Sequence, residues 1–327
     1  DINCSATNPE NGAYNGSLWQ LGYAAKYPNG FDGIPKSGDE NLYFISSGTQ
    51  GFLPIHLNGT LNGQDKTISN LFSGSAWAGG LFGTSFAGIL AHVKMDRWTI
   101  SKPTDWAGDI GGIAVSCLPE GKISNSSLSN SRISSPGHYV GGFVARGGCS
   151  IDGSSLENVQ VSGQAYVGGF VAQNAGPITN SYASNVTVSG TMGEVGGFVG
   201  EKASTISNSS FSGVVSGMSA VGGLVGNEAQ TISNSFVNAT VSGGNDIVGQ
   251  GGDIGGLVGS GAKTVSNSYF IGTVSGRFNV GGLVGRSDTA VEILNSYAKA
   301  EISAVDYGAG GLISANPQTI TNSFFQG

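Results

Sequence analysis

Apolar residues along this chain keep no helical spacing. They come in short bursts separated by glycine and small polar residues, and the bursts return. One burst is a β-branched residue, two glycines, an apolar pair and a small residue: Val195-Gly196-Gly197-Phe198-Val199-Gly200, then Val221 to Gly226, Ile254 to Gly259 and Val280 to Gly285. The other is a β-branched residue, a small polar one, asparagine, serine and an aromatic: Ile178-Thr179-Asn180-Ser181-Tyr182, then Ile232 to Phe236, Val265 to Tyr269 and Ile320 to Phe324. With degenerate copies included, the first occurs nine times and the second ten, at intervals of roughly 26–33 residues, a spacing that marks a stacked repeat. Within residues 178–200, side-chain alternation puts Ile178, Asn180 and Tyr182 on one strand face and Val186 and Val188 on the next, with Val195 to Val199 forming a third. Glycine and serine mark the joins. The pattern predicts an all-β parallel β-solenoid of about ten coils of ~27 residues, three short strands per coil. The coil is taken as right-handed.

Equivalent positions should then pile into columns. The asparagine column reads Asn70, Asn125, Asn180, Asn208, Asn234, Asn267, Asn295 and Asn322, with His92 and Gly153 filling the empty slots. Flanked by Ile and Tyr, these amides are expected to point inward and to bond along the column as a structural ladder. The aromatic column, Phe72, Tyr182, Phe236, Tyr269, Tyr297 and Phe324, is interrupted by Ser127, Ser155 and Ser210 and is expected in the core. The glycine pairs imply close backbone approach. They are not phosphate loops, because no Lys-Ser/Thr follows and no helical period appears.

Composition narrows the function classes. Charged residues make up 11% of the chain, and the balance of 14 basic against 21 acidic residues gives −7. So few cations leave no electrostatic footprint for nucleic acid, and no apolar run is long enough to insert into a membrane. Cys117 and Cys149 lie about one repeat apart, so stacking could bring them to disulfide distance; two buried thiols are the alternative. No metal site is expected from the three cysteines and three histidines.

Gly223-Leu224-Val225-Gly226, Gly256 to Gly259 and Gly282 to Gly285, with the variants Gly80-Leu81-Phe82-Gly83 and Gly197-Phe198-Val199-Gly200, resemble the GLUG motif. That resemblance covers roughly residues 61–327. It implies a bacterial surface or secreted protein of the adhesin-like kind, or the non-catalytic part of some immunoglobulin A metallopeptidases. The zinc motif His-Glu-x-x-His of the latter is absent, so that activity is not implied.

Residues 1–60 break the period and are assigned as an N-terminal cap on the solenoid of residues 61–327, since a first coil needs its edge covered. The last repeat reaches the end of the chain without a cap, which suggests a fragment or a docked partner. Two irregular stretches hold the remaining chemistry. In residues 89–120, Asp96, Asp105 and Asp109 could act as acids or bases in a polysaccharide-cleaving β-helix, and His92, Trp98 and Trp106 could contact a ligand. In the glycine-rich insertion, Asp246 and Asp253 are weak calcium candidates. A threonine row, Thr187, Thr240 and Thr273, resembles an ice-binding face but is interrupted by Arg132, Gln160, Val214 and Glu301. The reading is a secreted or surface-exposed bacterial adhesin or structural stalk without catalysis or cofactor. Its expected partner is a host or neighbour-cell glycan or protein, or further domains of the same polypeptide. A carbohydrate-active lyase or hydrolase stands as the alternative, with an ice-binding module behind it.

Overall fold

A computed structural model describes residues 2–3, 57, 59–74, 79–83, 86–101, 108–244, 252–316 and 319–327. The described residues are all-β, a parallel solenoid of about nine turns. Every strand pairing is parallel, each strand meeting its equivalent one coil on. A regular coil holds three strands, Val195–Gly196, Val199–Ser207 and Ser210–Gly217. Earlier coils have more, because their corners divide the long strands. Between residues 139 and 163 there are five: Tyr139–Gly141, Val144–Gly147, Ser150–Asp152, Ser155–Glu157 and Gln160–Gly163.

The glycine pair sets the tightest point of the coil. A Cβ on Gly196 would strike the carbonyl oxygen of Val199, where the chain folds back on itself. One on Gly197 would strike the carbonyl of Gly223 in the next coil and come within 2.8 Å of the Phe211 ring. Only glycine allows both approaches. The residue that follows is driven inward. Phe143, Phe170 and Phe198 are fully buried and meet edge to face at 5.0 and 4.7 Å, and Leu224, Leu257 and Leu283 continue the column. Valines and isoleucines complete a continuous apolar interior along the axis. Such burial contributes roughly 1.5–3 kcal/mol per side chain, which offsets the entropy of ordering a glycine-rich chain.

Asparagine corrects the expected facing of the strands. Asn125, Asn180, Asn208, Asn234, Asn267, Asn295 and Asn322 all have φ between 47° and 50°. This left-handed conformation is one that asparagine tolerates better than other side chains. It resets the alternation. Ile178 is buried, Asn180 is exposed, Ser181 is buried, Tyr182 is exposed and Ala183 is buried. The amides therefore line the outside of a corner instead of pointing into the core, and the aromatic row stands outside as well. His92 and Gly153 occupy slots in this same column, with φ of 54° and 57°. Asn70 belongs elsewhere. It begins a second left-handed corner with Arg97, Asn130, Asn158 and Asn185. Phe72 likewise pairs with Thr99, in the row that runs to Arg132, Gln160 and Thr187, and not with the column of Tyr182.

The serine after each asparagine points inward and forms a buried ladder. From Ser126 through Ser154, Ser181, Ser209, Ser235, Ser268 and Ser296 to Ser323, each backbone N–H donates to the next hydroxyl at 3.0–3.3 Å. Ser126, Ser154, Ser181, Ser209, Ser235, Ser268, Ser296 and Ser323 each return a hydrogen bond to the carbonyl two residues back. Buried donors and acceptors at the corner are thus satisfied in pairs.

Cys117 and Cys149 are joined by a disulfide between neighbouring coils, with their Cα atoms 5.6 Å apart. At the N-terminal end Ile2–Asn3 pairs in parallel with Ile68–Ser69. Of the rest of the assigned cap only residues 57, 59 and 60 are described, and Asp105, Trp106 and Asp246 lie outside the described residues.

Candidate functional site

With the core filled along its length, functional contacts fall to the outward columns, and three of these differ in chemistry.

The first is the aromatic ridge. Phe236, Tyr269, Tyr297 and Phe324 follow one another in register, with ring centroids 4.9–5.1 Å apart and planes within 5–6°. Stacking suits the coil repeat and gains energy beyond simple burial. It also covers the ring faces between neighbours, leaving mainly edges toward solvent. Phe324 is 58% exposed.

The second lies where the short glycine strand meets the next long strand. Asp109 binds Arg146 through both carboxylate oxygens, at 2.7 and 3.0 Å. The Arg146 guanidinium lies 3.7 Å from the centre of the Tyr139 ring, which stacks on Tyr166 at 4.7 Å. Two coils on, Glu194 and Glu201 share the same edge. Glu201 accepts from the Gln173 amide and pairs with Lys202 at 3.3 Å. Burial, with the Glu201 and Glu228 carboxylates nearby, pushes Glu194 above the ordinary carboxylate range despite a backbone hydrogen bond.

The third is the second left-handed corner, which opens a groove of about 350 Å3 lined by Arg97, Trp98, Thr99, Asn130, Ser131, Arg132, Asn158 and Gln160. Amides stack along it. Asn158 donates to Asn130 at 3.2 Å and Asn185 to Asn158 at 2.7 Å. Arg97 donates to Asn70 at 3.0 Å and pairs with Asp96 at 3.2 Å. Arg132 donates to the neutral Gln160 amide oxygen at 3.0 Å.

Several residues singled out from the sequence are occupied by structural work. Asp96 accepts from Ser129 at 2.9 Å and from Asn130 at 2.8 Å. Burial alone would raise its carboxyl, but those hydrogen bonds and the Arg97 charge outweigh it and hold the group below the usual range. Asp96 and Asp109 stand in different parts of the coil, Asp96 at the end of a strand before the second corner and Asp109 just before the strand that enters the glycine pair. Trp98 is 1% exposed, its indole N–H donating to the Ile68 carbonyl at 2.8 Å, so the ring packs inside and offers no outer platform. His92, its side chain 42% exposed, has its Nδ1 3.8 Å from Asp65. Asp253 accepts from the Asn279 amide at 2.7 Å. Among the described residues no three His, Cys, Asp or Glu side chains gather as a metal site would require. No helix there is long and apolar enough to cross a membrane. The threonine row runs in register as read, through Arg132, Gln160, Thr187, Val214, Thr240, Thr273 and Glu301.

Of the structural features, the buried serine ladder and the second corner escaped the sequence reading. The recurring Asn-Ser pair was the available signal for the ladder. Asn130, Asn158 and Asn185, recurring every 27–28 residues, were the signal for the corner.

These features define a parallel β-solenoid repeat protein with ordered outer columns. No family model and no curated protein matches the chain. A solved structure from Bacteroides ovatus, described as a "putative immunoglobulin A1 protease", aligns over 88% of this chain and 82% of that one, at 16% identity and a TM-score of 0.48. A likeness of that degree carries no argument about activity.

Proposed function

We propose that this chain is a non-catalytic binding rod of the adhesin or stalk kind, secreted or displayed on a bacterial surface. The observation that carries the reading is how the polar side chains are spent. Asp96 and Asp109, the described carboxylates with the best claim to catalysis, are each tied to an arginine, Asp96 to its neighbour Arg97 and Asp109 to Arg146 one coil on, in different parts of the coil. Paired glycosidase carboxylates instead face one another across a bond at about 5–9.5 Å. Meanwhile the outer columns repeat in register and offer the same small polar groups coil after coil, as an extended contact surface would. The Cys117–Cys149 bridge suits an oxidising compartment. The partner on this reading is a glycan or protein of another cell, or further domains of the same polypeptide, and no cofactor takes part.

The test is a glycan and surface-protein array probed with the purified chain, run beside a reducing-sugar release assay on each glycan bound. Retained ligand without product supports the rod. Product release that is abolished by Asp105→Asn or Asp109→Asn would replace it with a carbohydrate-active enzyme.

A further inference from the structure

We infer that the groove along the second corner binds an acidic polysaccharide, with Arg132 receiving its anionic groups. The inference rests on the binding-rod reading and names the ligand class.

The argument begins with the arginines. All five lie among the described residues, and four meet a carboxylate: Arg97 with Asp96, Arg146 with Asp109, Arg277 with Asp306 and Arg286 with Asp288. Arg132 meets none among the described residues; its partner is the neutral oxygen of Gln160. Lys202 alone among the described lysines meets a carboxylate, so what sets Arg132 apart is that it is the one arginine without its own anion. It is also exposed and lines a groove. One guanidinium nitrogen is committed to Gln160, and the fork retains donors for an incoming carboxylate or sulfate, the geometry arginine recognises best.

The other groove residues indicate what carries the anion. Thr99, Asn130, Asn158 and Gln160 are exposed, and each offers a hydroxyl or an amide. Asn130 and Asn158 sit one above the other along the axis, as do Thr99, Arg132 and Gln160. Such a strip matches a linear polyol, with hydroxyls at regular intervals and occasional charge. It does not match an acidic peptide, whose apolar side chains would find no pocket, since Trp98 and Ser131 are buried. The acidic remainder of the rod repels a polyanion, so contact should be confined to this groove and weaken with salt.

The test uses the full chain, with polygalacturonate as the carboxylate probe, heparin as the sulfate probe, dextran as the neutral sugar and polyphosphate as a polyanion without hydroxyl-bearing rings. Binding to one or both acidic sugars, at least tenfold above dextran and polyphosphate, is expected, and the two sugar arms separate carboxylate from sulfate. Arg132→Gln should weaken that binding about tenfold, the loss of one charge-assisted interaction, and should flatten its salt dependence. Arg132→Lys should fall between, and Arg146→Gln should match the parent. If Arg132→Gln melts early, Thr99→Glu serves instead. It sets a carboxylate in register beside Arg132 and should cause a similar loss. Equal binding of dextran or polyphosphate, absence of binding to both acidic sugars, or binding indifferent to Arg132 would each overturn the inference. If the array still shows another ligand, the rod reading survives that failure; an array with no ligand at all defeats both.

Discussion

The coils before about residue 190 and those after it solve the same packing problem with different corners. In the earlier coils the strand after the aromatic column bends a second time, at the left-handed residues Arg97, Asn130, Asn158 and Asn185. The residues that follow, Trp98, Ser131, Val159 and Val186, turn inward and fill the space beneath. In the later coils the bend is gone. Between Ala183 and Val186 lie two residues, but between their partners Phe211 and Gly213 lies only Ser212. Losing that residue straightens the strand into the unbroken Ser210–Gly217 and Phe236–Gly243. The column under the former bend becomes Gly213, Ala239, Gly272 and Ala300, because the backbone itself now runs there. A Cβ on Gly213 or Gly272 would collide with the carbonyl of Val186 or Ala239 in the preceding coil. The volume moves one step along the strand, where Phe211 and Phe270 are fully buried. Outside, the change exchanges an amide-lined groove for a smooth face beside the aromatic ridge. One residue more or less per coil therefore decides both where the core is filled and whether a groove exists.

The sharpest way to break this account is Phe211→Ala. If the ring replaces the lost corner as filler, its removal leaves a cavity that rigid coils cannot close, at a cost of about 3–5 kcal/mol. Denaturant unfolding should show a large fall in midpoint. A loss below about 1 kcal/mol would mean that the later coils collapse freely and that the compensation is not real.

The disulfide sharpens the comparison from the other side, since it joins coils of the earlier region. Replacing Cys117 and Cys149 together by alanine should cost about 3.5–4 kcal/mol, the scale for a loop of this length. In a stacked array each coil contacts chiefly its neighbours. The loss should therefore appear as faster amide exchange around residues 110–150, with the coils beyond residue 220 unchanged. Uniform loss along the rod would show that the two regions unfold as one unit.

The asparagine corner shared by both regions predicts a smaller effect. Asn180 has φ of 50° and donates to Asp152 at 2.7 Å. Asn180→Ala should cost about 1–2 kcal/mol, the penalty for a side chain with Cβ in this conformation. Asn180→Gly should lie within about 0.5 kcal/mol of the parent, since Gly153 already occupies the same column. Equal thermal shifts for the two variants would mean that the amide ladder, and not the backbone, holds the corner.

The repeat was legible because it is written in residue types that stand for backbone geometry. Paired glycines marked the fold-back, and the asparagine interval gave the coil length. The queue of Asn180, Asn208 and Asn234 holds along the stack, with Asn208 donating to Asn180 at 3.4 Å. The facing of side chains was not legible from strand alternation, because a left-handed residue inside a strand shifts the phase by one position. That single shift moves Tyr182 and the other aromatics from the core to the surface and brings Ser181 inside. Asn70 was placed in the wrong column for a related reason: both corners use asparagine, and only pairing distinguishes them. The groove was harder still. The repeat register set Arg132 and Gln160 in one row, but nothing in the local sequence says that Arg97 and the stacked amides of Asn130 and Asn158 adjoin them.

The smallest expected effect sits where the two regions meet. Glu194 follows Tyr166 in the outward column, and burial together with the Glu201 and Glu228 carboxylates raises its carboxyl above the ordinary range. A carboxyl raised on folding is best tolerated when protonated. Its contribution is most favourable below the unfolded value of about 4 and is lost as pH rises through the higher folded value. Glu194→Gln removes the charge while keeping the shape. It should therefore stabilise the rod at pH 7 by less than about 1 kcal/mol, and the gain should shrink on acidification and vanish below about pH 4. Asp152, held low by hydrogen bonds from Thr179 and Asn180, carries the opposite sign and loses its contribution as pH falls through its lowered value. Comparing Glu194→Gln with the parent across pH cancels that common background. A difference that stays constant with pH would show that the substitution acts through packing at the junction and not through the crowded carboxylates.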